Sequence, residues 1–266
     1  MSAEWSFITV VYNSSRAIQE HWQGFVGSDA IEWIVVDNAS TDGVASLCES
    51  LGANVIRLNE NLGFARANNI GLSHSSGRLV AFVNPDVTVK LNDMSKIQEC
   101  LSNDDKQLVA PQLLNPDGTP QPNGRGEPYL WYKIRNRLSR KGNPAYLFYA
   151  DSDVLRPVSW LTGAVVMTSR QTWDRIGGWD ESYFLYHEDV ELGLVARARG
   201  VPSRIIGHVR WVHGWRRAAT GLNFRAWKME LRSAIRFYAR RPRYLAPPAF
   251  GRLLIGSGRE GGRGHE

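Results

Sequence analysis

Leu79–Val87, with the sequence LVAFVNPDV, sets the architecture of the chain. Its first five residues are apolar and rich in β-formers, which is typical of a strand buried on both faces. Asn84-Pro85 then ends the strand, because proline lacks a backbone donor and disfavours helical geometry in the residue before it. Asp86 therefore stands at the carboxyl end of a central strand, where open α/β sheets bind ligands. A carboxylate there suits a divalent cation that also contacts phosphate, although Asn-Pro-Asp is equally typical of a plain turn.

Predicted strands alternate with predicted helices on both sides of this segment. The alternation indicates an α/β fold with a mostly parallel, doubly wound sheet flanked by helices. The predicted strands are 5–12, 31–36, 54–58, 79–83, 107–110, 158–167 and 209–215. The predicted helices end near Gly24 and Leu51, span 64–73, lie within 87–106, and span 224–240.

The composition is that of a globular protein, with 43% hydrophobic and 22% charged residues among 266. Its two cysteines, Cys48 and Cys100, have no partner nearby in sequence, which favours a reducing compartment. No apolar run approaches the ~20 residues of a membrane-spanning helix, and the first strand begins too early to leave room for a signal peptide. We therefore expect a cytoplasmic protein.

Charge is distributed unevenly along the chain, whose formal net charge is +6. Residues 204–266 carry 14 Lys and Arg against 3 Asp and Glu, whereas the remainder carries 18 against 23. A basic end on a slightly acidic body predicts contact with anionic lipid, nucleic acid or a phosphorylated substrate, or simply a solubilising tail. Residues 251–266 are predicted to be disordered.

The helix predicted at 224–240 has apolar residues at helical spacing and a flank of arginines, Arg232, Arg236 and Arg240. We expect it to pack on the body, to lie on an anionic membrane with its arginines facing lipid, or both. Upstream, 111–128 is rich in turn residues, and 129–149 mixes aromatic with basic residues. This region is predicted to be a mobile flap or an acceptor-binding insertion, or an ordinary loop and surface helix.

Two acids follow strands at the same edge of the predicted sheet. Asp37 follows the second strand and Asp86 follows the fourth. A carboxylate after an early strand is placed to bind a base or ribose, and one nearer the phosphates is better placed for a metal. No Gly-x-Gly-x-x-Gly follows the first strand, and no Gly-Lys-Ser/Thr loop occurs. Rossmann dehydrogenases and P-loop enzymes are therefore disfavoured.

Four motifs occur in series: Tyr12-Asn13-Ser14, Val36–Asp42, Asn61–Gly71 and Asn84-Pro85-Asp86. With them the chain resembles the inverting family 2 glycosyltransferases of GT-A fold, especially the bacterial rhamnosyltransferase-like branch, over roughly residues 5–215. The resemblance implies one GT-A domain with a nucleotide-sugar-binding half, an acceptor-binding and catalytic half, and a basic helical extension with its tail. These parts are 1–110, 111–215 and 216–266.

The resemblance also implies the activity, which is transfer of a sugar from a nucleoside-diphosphate donor to a glycan or lipid-linked acceptor. The expected donor is dTDP-rhamnose, and Asp37 is expected to contact the nucleotide base. The implied donor contacts are Thr9, Tyr12, Asp37, Asn38, Gly63, Phe64, Asn68, Asn84, Trp160, Thr162 and Gly163. Trp160 would stack on a sugar ring, or serve only as a core residue.

The cofactor that the resemblance implies is a divalent cation, Mg2+ or Mn2+. Asp86 closes the family's Asp-x-Asp metal motif, but Asn84 replaces its first acid. His213 stands where the family often has a histidine that completes the metal site, and a neutral imidazole suits manganese better than magnesium. With a single carboxylate, we expect the cation to be held weakly or largely through the donor diphosphate.

Three acids follow a group of aromatic residues at a predicted helix N-terminus: Glu188, Asp189 and Glu191. Inverting transfer needs one general base to take the proton of the acceptor hydroxyl. The resemblance assigns this chemistry to the Glu188–Asp189 pair, with Asp189 as the base. Glu191 is expected only to interact with the helix dipole. The neighbouring aromatic residues would raise the proton affinity of Asp189, and the dipole would lower it.

Two other functions fit parts of the sequence. A sugar-nucleotide pyrophosphorylase needs a Gly-rich basic loop after the first strand, where this chain has Tyr12-Asn13-Ser14-Ser15. A nucleic-acid-binding module would use the basic C-terminal end, but no binding motif is recognisable. The expected partners are a sugar nucleotide and a glycan or lipid-linked acceptor, without nucleic acid. Peripheral contact of the C-terminal helix with the inner face of the plasma membrane is a further expectation.

Overall fold

The computed structural model describes residues 3–25, 30–139, 142–214 and 224–246. The strands are β1 (Trp5–Val11), β2 (Ile31–Asp37), β3 (Asn54–Arg57), β4 (Leu79–Val83), β5 (Val87–Thr88), β6 (Leu108–Leu114), β7 (Gly124–Arg125), β8 (Leu147–Phe148), β9 (Leu155–Val158), β10 (Trp160–Leu161), β11 (Val165–Ser169) and β12 (Ser203–His213). The helices are α1 (Ser15–His21), α2 (Val44–Ser50), α3 (Phe64–Ser73), α4 (Met94–Asn103), α5 (Leu130–Leu138), α6 (Arg170–Ile176), α7 (Glu188–Ala198) and α8 (Phe224–Arg240).

One mixed sheet organises the described residues, in the order β3-β2-β1-β4-β11-β6-β12-β5, with β9 added to β12. The four strands β1 to β4 are parallel, with Val11 opposite Asp37 and Ile8 opposite Phe82. β11 runs antiparallel to β4 and β6, whereas β12 runs parallel to β6. The predicted mostly parallel α/β sheet is confirmed. The carboxyl ends of β1, β2 and β4 therefore meet at one edge.

β4 is the strand that the LVAFV run predicts, and it lies between β1 and β11 with all five residues buried. Its Phe82 ring packs 4.3 Å from the ring of Trp173 on α6 and 5.5 Å from that of Trp179. After β4, the backbone N–H of Asn84 donates a hydrogen bond to the Ala164 carbonyl at 2.9 Å. Burial on both faces explains why this strand reads as an uninterrupted apolar run.

β6 is longer than predicted, because it continues through Pro111 into the segment expected to consist of turns. The strand tolerates the proline because its partner β12 is irregular there, with pairing that jumps from Ile206 to Arg210. The Pro111 carbonyl accepts a hydrogen bond from Asn123 Nδ2 at 2.9 Å. The boundary expected at residue 110 between the two halves of the domain falls inside this strand.

The prediction of a single strand at 158–167 is wrong. This segment contributes to β9, β10 and β11. β10 belongs to a separate small sheet with β7 and β8, and Thr162–Ala164 connect it to β11 of the main sheet. The break turns those three residues into a loop at the edge where β4 ends. Ser169 caps α6 by accepting a hydrogen bond from the Thr172 N–H at 3.2 Å.

α8 has its predicted bounds and packs on the body through its C-terminal half. Phe237 and Tyr238 are buried in a cluster that includes Tyr244 and Trp160. The Tyr238 hydroxyl also donates a hydrogen bond to the Pro128 carbonyl at 3.1 Å, just before α5. The expected packing of this helix on the body is therefore confirmed.

The expectation that Arg236 and Arg240 face lipid is wrong. Arg236 donates to the Ser182 carbonyl at 2.6 Å, and Arg240 forms an ion pair with Asp180 at 2.8 Å. Both lie on the side of α8 that faces the loop before α7. The predicted end of the last strand at 215 and the predicted disordered tail lie outside the described residues. No helix in the described part of the chain combines the length and apolar character needed to cross a membrane.

Candidate active site

Two adjoining cavities open at the carboxyl edge of the sheet. The first, of about 600 Å³, lies over the ends of β1, β2 and β4. The second, of about 470 Å³, lies between the 162–164 loop and the start of α7. Phe64, Asn84, Asp86 and Leu185 line both, so they form a common wall. Volumes of this size are usual for small-molecule sites.

Five of the predicted donor contacts line the first cavity: Tyr12, Asn38, Gly63, Phe64 and Asn84. Asn38 organises this wall, because its Oδ1 accepts a hydrogen bond from the Leu62 N–H at 2.7 Å. Its Nδ2 donates to the Gly63 carbonyl at 3.3 Å. The end of β2 is thus tied to the turn before α3, and the two motifs form one side of the cavity.

The turn at Gly63 also joins the first cavity to the segment before α7. Gly63 has a φ of +85°, and a Cβ built there would lie 2.3 Å from the Phe184 carbonyl oxygen. The Phe64 N–H donates a hydrogen bond to that same oxygen at 2.8 Å. Only glycine permits this close approach of the two backbones. The Asn61–Gly71 motif therefore connects the wall of the first cavity to the segment before α7.

Three predicted donor contacts lie outside both cavities: Thr9, Asp37 and Asn68. Thr9 is buried in the middle of β1, where its hydroxyl accepts a hydrogen bond from the Trp33 indole at 3.1 Å. The Asn68 amide turns back onto its own helix and donates to the Phe64 carbonyl at 3.0 Å. Asp37 is also buried, and its Oδ1 accepts a hydrogen bond from a backbone N–H three residues later.

The pairing of β5 with β12 brings the two predicted metal ligands together. Val87 lies opposite His213, and the Gly214 N–H donates to the Asp86 carbonyl at 2.7 Å. As a result, His213 Nε2 lies 3.3 Å from Asp86 Oδ1. Both side chains line the second cavity.

The other ring nitrogen of His213 determines what Nε2 can bind. Nδ1 lies 2.6 Å from Gln121 Oε1, and Gln121 Nε2 donates to Asn115 Oδ1 at 3.0 Å. With the amide oriented in this way, Nδ1 is the donor, so Nε2 faces Asp86 either as N–H in the protonated ring or as a lone pair in the neutral ring. Two acceptors that face each other at this distance need a proton or a cation between them. The pair therefore fits a divalent cation that takes one oxygen and one nitrogen ligand.

Burial acts to raise the pKa of Asp86, but the hydrogen bond and the positive charge that His213 supplies when its ring is protonated outweigh it and hold this pKa below its ordinary value. Asp86 is consequently ionised at neutral pH. Within the described ranges, no group of three or more His, Cys, Asp or Glu side chains is gathered for a metal. The chain offers a two-ligand site at most in this part of the structure.

Asp189 lies in the first turn of α7 and lines the second cavity together with Asp86. Its Oδ2 accepts a hydrogen bond from the Gly163 N–H at 3.2 Å, and its Oδ1 accepts one from the Val190 N–H at 2.8 Å. Burial raises the pKa of Asp189 above its ordinary value, while these hydrogen bonds and two nearby cations oppose the rise. An oriented carboxylate with raised proton affinity can act as a general base.

Glu188 differs from Asp189 in its surroundings. It is buried, and its Oε2 has no hydrogen-bond partner among the described residues. Burial and the charge of Asp189 raise the pKa of Glu188 well above its ordinary value, which favours the protonated form of Glu188. Glu191, expected only to interact with the helix dipole, is buried and forms an ion pair with Arg241. Of the three acids, Asp189 is therefore the one that lines the cavity with both carboxylate oxygens held by backbone N–H groups.

Two cations of the second cavity, Arg125 and Lys133, had no site role in the sequence analysis. Lys133 Nζ donates to His187 Nε2 at 2.8 Å. Burial lowers the pKa of Lys133 to about 8, and burial together with the Lys133 charge lowers the pKa of His187 to about 3. Lys133 thus donates to a neutral imidazole, and its charge lowers the pKa of Asp189. No local signal distinguishes Lys133 from the other basic residues of 129–149.

The remaining predicted donor contacts, Trp160, Thr162 and Gly163, line the second cavity rather than the first. Trp160 is only 5% exposed, and its indole N–H donates to the Gly126 carbonyl at 3.0 Å. A Cβ added at Gly193 of α7 would lie 2.3 Å from the Trp160 Cβ, so the helix packs tightly on this residue. Trp160 is therefore both a core residue and part of the cavity wall.

The chain is similar to known proteins both in sequence and in fold. Residues 6–161 match the model of the family described as glycosyl transferase family 2. A low-salt glycan biosynthesis hexosyltransferase of Haloferax volcanii is 26% identical over 203 residues, which cover 74% of this chain and 62% of that protein. An N-acetylglucosaminyl-diphospho-decaprenol L-rhamnosyltransferase of Mycobacterium tuberculosis is 30% identical over 183 residues, covering 60% of this chain and 59% of that protein. The chain thus spans about three fifths of the length of these relatives.

Among solved structures, a mannosyltransferase of Pyrobaculum calidifontis in complex with GDP-Man and Mn2+ superposes with a TM-score of 0.60 at 19% identity. The superposition covers 96% of this chain and 69% of that protein. At this level of identity the likeness concerns the fold, which is of the GT-A type that the motifs imply.

Proposed function

The chain belongs to glycosyl transferase family 2, and we propose that it is an inverting enzyme that transfers a sugar from a nucleoside diphosphate to an acceptor hydroxyl. The observation that carries the proposal is the shared second cavity. Asp86, His213 and Asp189 all line it, next to a first cavity large enough for a nucleotide. A leaving diphosphate and an attacking hydroxyl would thus have separate, adjoining places.

The proposed reaction is a direct displacement at the anomeric carbon. The acceptor hydroxyl enters the second cavity, where Asp189 takes its proton as the oxygen attacks. The Gly163 and Val190 N–H groups hold this carboxylate in place, and the raised pKa of Glu188 favours a proton on that neighbour rather than a second charge. The bond to the diphosphate breaks on the opposite face of the sugar, which inverts the configuration.

A divalent cation is part of the proposal, with Asp86 and His213 as its ligands. Support comes from the lone pair that His213 Nε2 directs at the Asp86 carboxylate when the ring is neutral. Once bound, such an ion would neutralise charge on the departing diphosphate. Two GT-A structures similar to this chain contain Mn2+: the mannosyltransferase above and a GalNAc-transferase.

L-Rhamnose from dTDP-rhamnose is the proposed donor sugar, with a glycan or lipid-linked acceptor of cell-envelope polysaccharide synthesis. The support is the name of the mycobacterial relative, a rhamnosyltransferase that acts on a diphospho-decaprenol. We further propose that the enzyme works in the cytoplasm at the inner face of the plasma membrane, with the C-terminal helix in peripheral contact.

Thermal-shift measurements test the proposal without knowledge of the acceptor. Wild-type protein is screened against dTDP-rhamnose, UDP-N-acetylglucosamine and GDP-mannose, with and without MnCl2. We expect one donor to stabilise the protein, by about 2.7 kcal/mol at a hundredfold excess over its Kd, and Mn2+ to increase the shift. Asp86→Asn should lose the Mn2+-dependent part, whereas the exposed Asp117→Asn should keep it. No shift with any sugar nucleotide, in the presence or absence of Mn2+, would rule out the proposed donor class.

A further inference from the structure

Two helices next to the second cavity carry large apolar side chains that point outward. On α5 these residues lie at positions i, i+3 and i+7, and on α8 at i, i+4 and i+8, so each set forms one stripe of its helix. Their exposed fractions run from 41% for Ile134 to 81% for Leu138. We call these six residues the apolar face: Trp131, Ile134, Leu138, Trp227, Leu231 and Ile235.

The two stripes belong to helices that contact each other. The Arg137 guanidinium of α5 lies 4.8 Å from the centre of the Trp227 ring on α8. The Tyr238 hydroxyl, one helical turn beyond Ile235, binds the Pro128 carbonyl just before α5. The apolar face is therefore a surface shared by both helices. Exposed groups of large apolar residues on a globular protein mark a site of interaction.

Charge indicates what this surface binds. Arg135 of α5 and Lys228 of α8 are exposed beside the apolar face, and Arg232 is exposed farther around α8. None of the three forms an ion pair within the described residues. Arg236 and Arg240, which follow Arg232 along the same stripe of α8, bind the body instead. Apolar residues flanked by unpaired cations are the pattern of a helix that lies in the interface of an anionic bilayer. A second copy of this chain would bring the same cations together.

The second cavity opens between these same helices, because Lys133 of α5 and Glu230 of α8 both line it. We propose that the apolar face inserts into the interface of an anionic membrane and so presents the second cavity to an acceptor anchored in that membrane. The surface is wider than the C-terminal helix alone, since α5 supplies half of it. The lipid-anchored acceptor rests on the proposed function, whereas membrane binding stands on the surface itself.

Sedimentation with vesicles tests the inference. The full chain is mixed with vesicles of phosphatidylcholine, or of phosphatidylcholine with phosphatidylglycerol, at low and high salt. We expect binding to the anionic vesicles that weakens with salt. Replacing Trp131, Trp227 and Leu231 together by serine should reduce partitioning roughly tenfold or more. The matched control replaces Val154 and Leu155 by serine, since these are also exposed but lie outside the apolar face.

Three results would overturn the inference. These are no binding by folded wild-type protein, equal loss in the control variant, or a dimer in light scattering that the triple variant abolishes. Thermal shift with the sugar nucleotide is measured on every variant, because the donor cavity does not include the apolar face. If the wild-type protein shows a thermal shift with the donor but does not bind vesicles, only the membrane surface is disproved. If the wild-type protein shows no thermal shift with any donor, the proposed function is contradicted.

Discussion

Replacing Gly63 with alanine perturbs the joint between the two cavities. Gly63 has φ +85° and ψ 173°, a conformation that costs other residues roughly 1–3 kcal/mol. The added Cβ would lie 2.3 Å from the Phe184 carbonyl oxygen, so the hydrogen bond from the Phe64 N–H to that oxygen must be lost, at about 1 kcal/mol. We expect Gly63→Ala to lower the free energy of unfolding by about 2–4 kcal/mol. Donor binding should weaken as well, because this turn lines the first cavity.

Urea unfolding and donor thermal shift together form the assay, and Gly43→Ala is its matched control. Gly43 also has a positive φ, +78°, but a Cβ there meets nothing within 4 Å. In the control, the free energy of unfolding should fall only by the cost of the left-handed conformation, roughly 1–2 kcal/mol, and donor binding should be normal. If both variants lose the same stability and Gly63→Ala binds the donor like the wild type, the turn does not join the two walls as described.

Three further changes have distinct expected results. Asp86→Asn should lower the affinity for Mn2+ in titration calorimetry with the donor nucleotide present, and an unchanged affinity would exclude this carboxylate as a ligand. Lys133→Met removes a cation that lowers the pKa of Asp189, so the acid limb of the pH–rate profile should move to higher pH. Lys133→Arg keeps the charge and should behave like the wild type. An acid limb that does not move in Lys133→Met would show that Lys133 does not influence the pKa of Asp189. Arg241→Ala leaves buried Glu191 without its ion-pair partner and should cost about 2 kcal/mol in urea unfolding, whereas no measurable loss would make that pair irrelevant to stability.

Local pattern was sufficient for the elements whose causes are local. The LVAFV run predicts β4 because a strand buried on both faces contains no polar positions. α3 and α8 have their predicted bounds, since turn residues and apolar periodicity mark them in the sequence. Proximity of Asp86 and His213 could also be predicted, but only through the resemblance, because their contact depends on the pairing of β5 with β12.

Features that depend on distant partners could not be predicted. Pro111 looks like a turn residue, and it lies in a strand because β12 is irregular some hundred residues later. Lys133 looks like any other basic residue until α5 brings it to His187. Asn68 matches a donor motif, but its amide is already used by its own helix. In each case the contact that determines the role is tertiary.

The most direct test of whether the two cavities serve one reaction is the turnover of Asp189→Asn. Nucleoside diphosphate release is measured with the donor that stabilises the wild type and with a lipid-linked acceptor. The substitution keeps the shape of the side chain but removes the base, which lines the second cavity together with Asp86. We predict turnover lower by roughly 10²–10⁴-fold, with donor thermal shift retained. Turnover equal to that of the wild type would remove Asp189 from the chemistry and contradict the proposed mechanism.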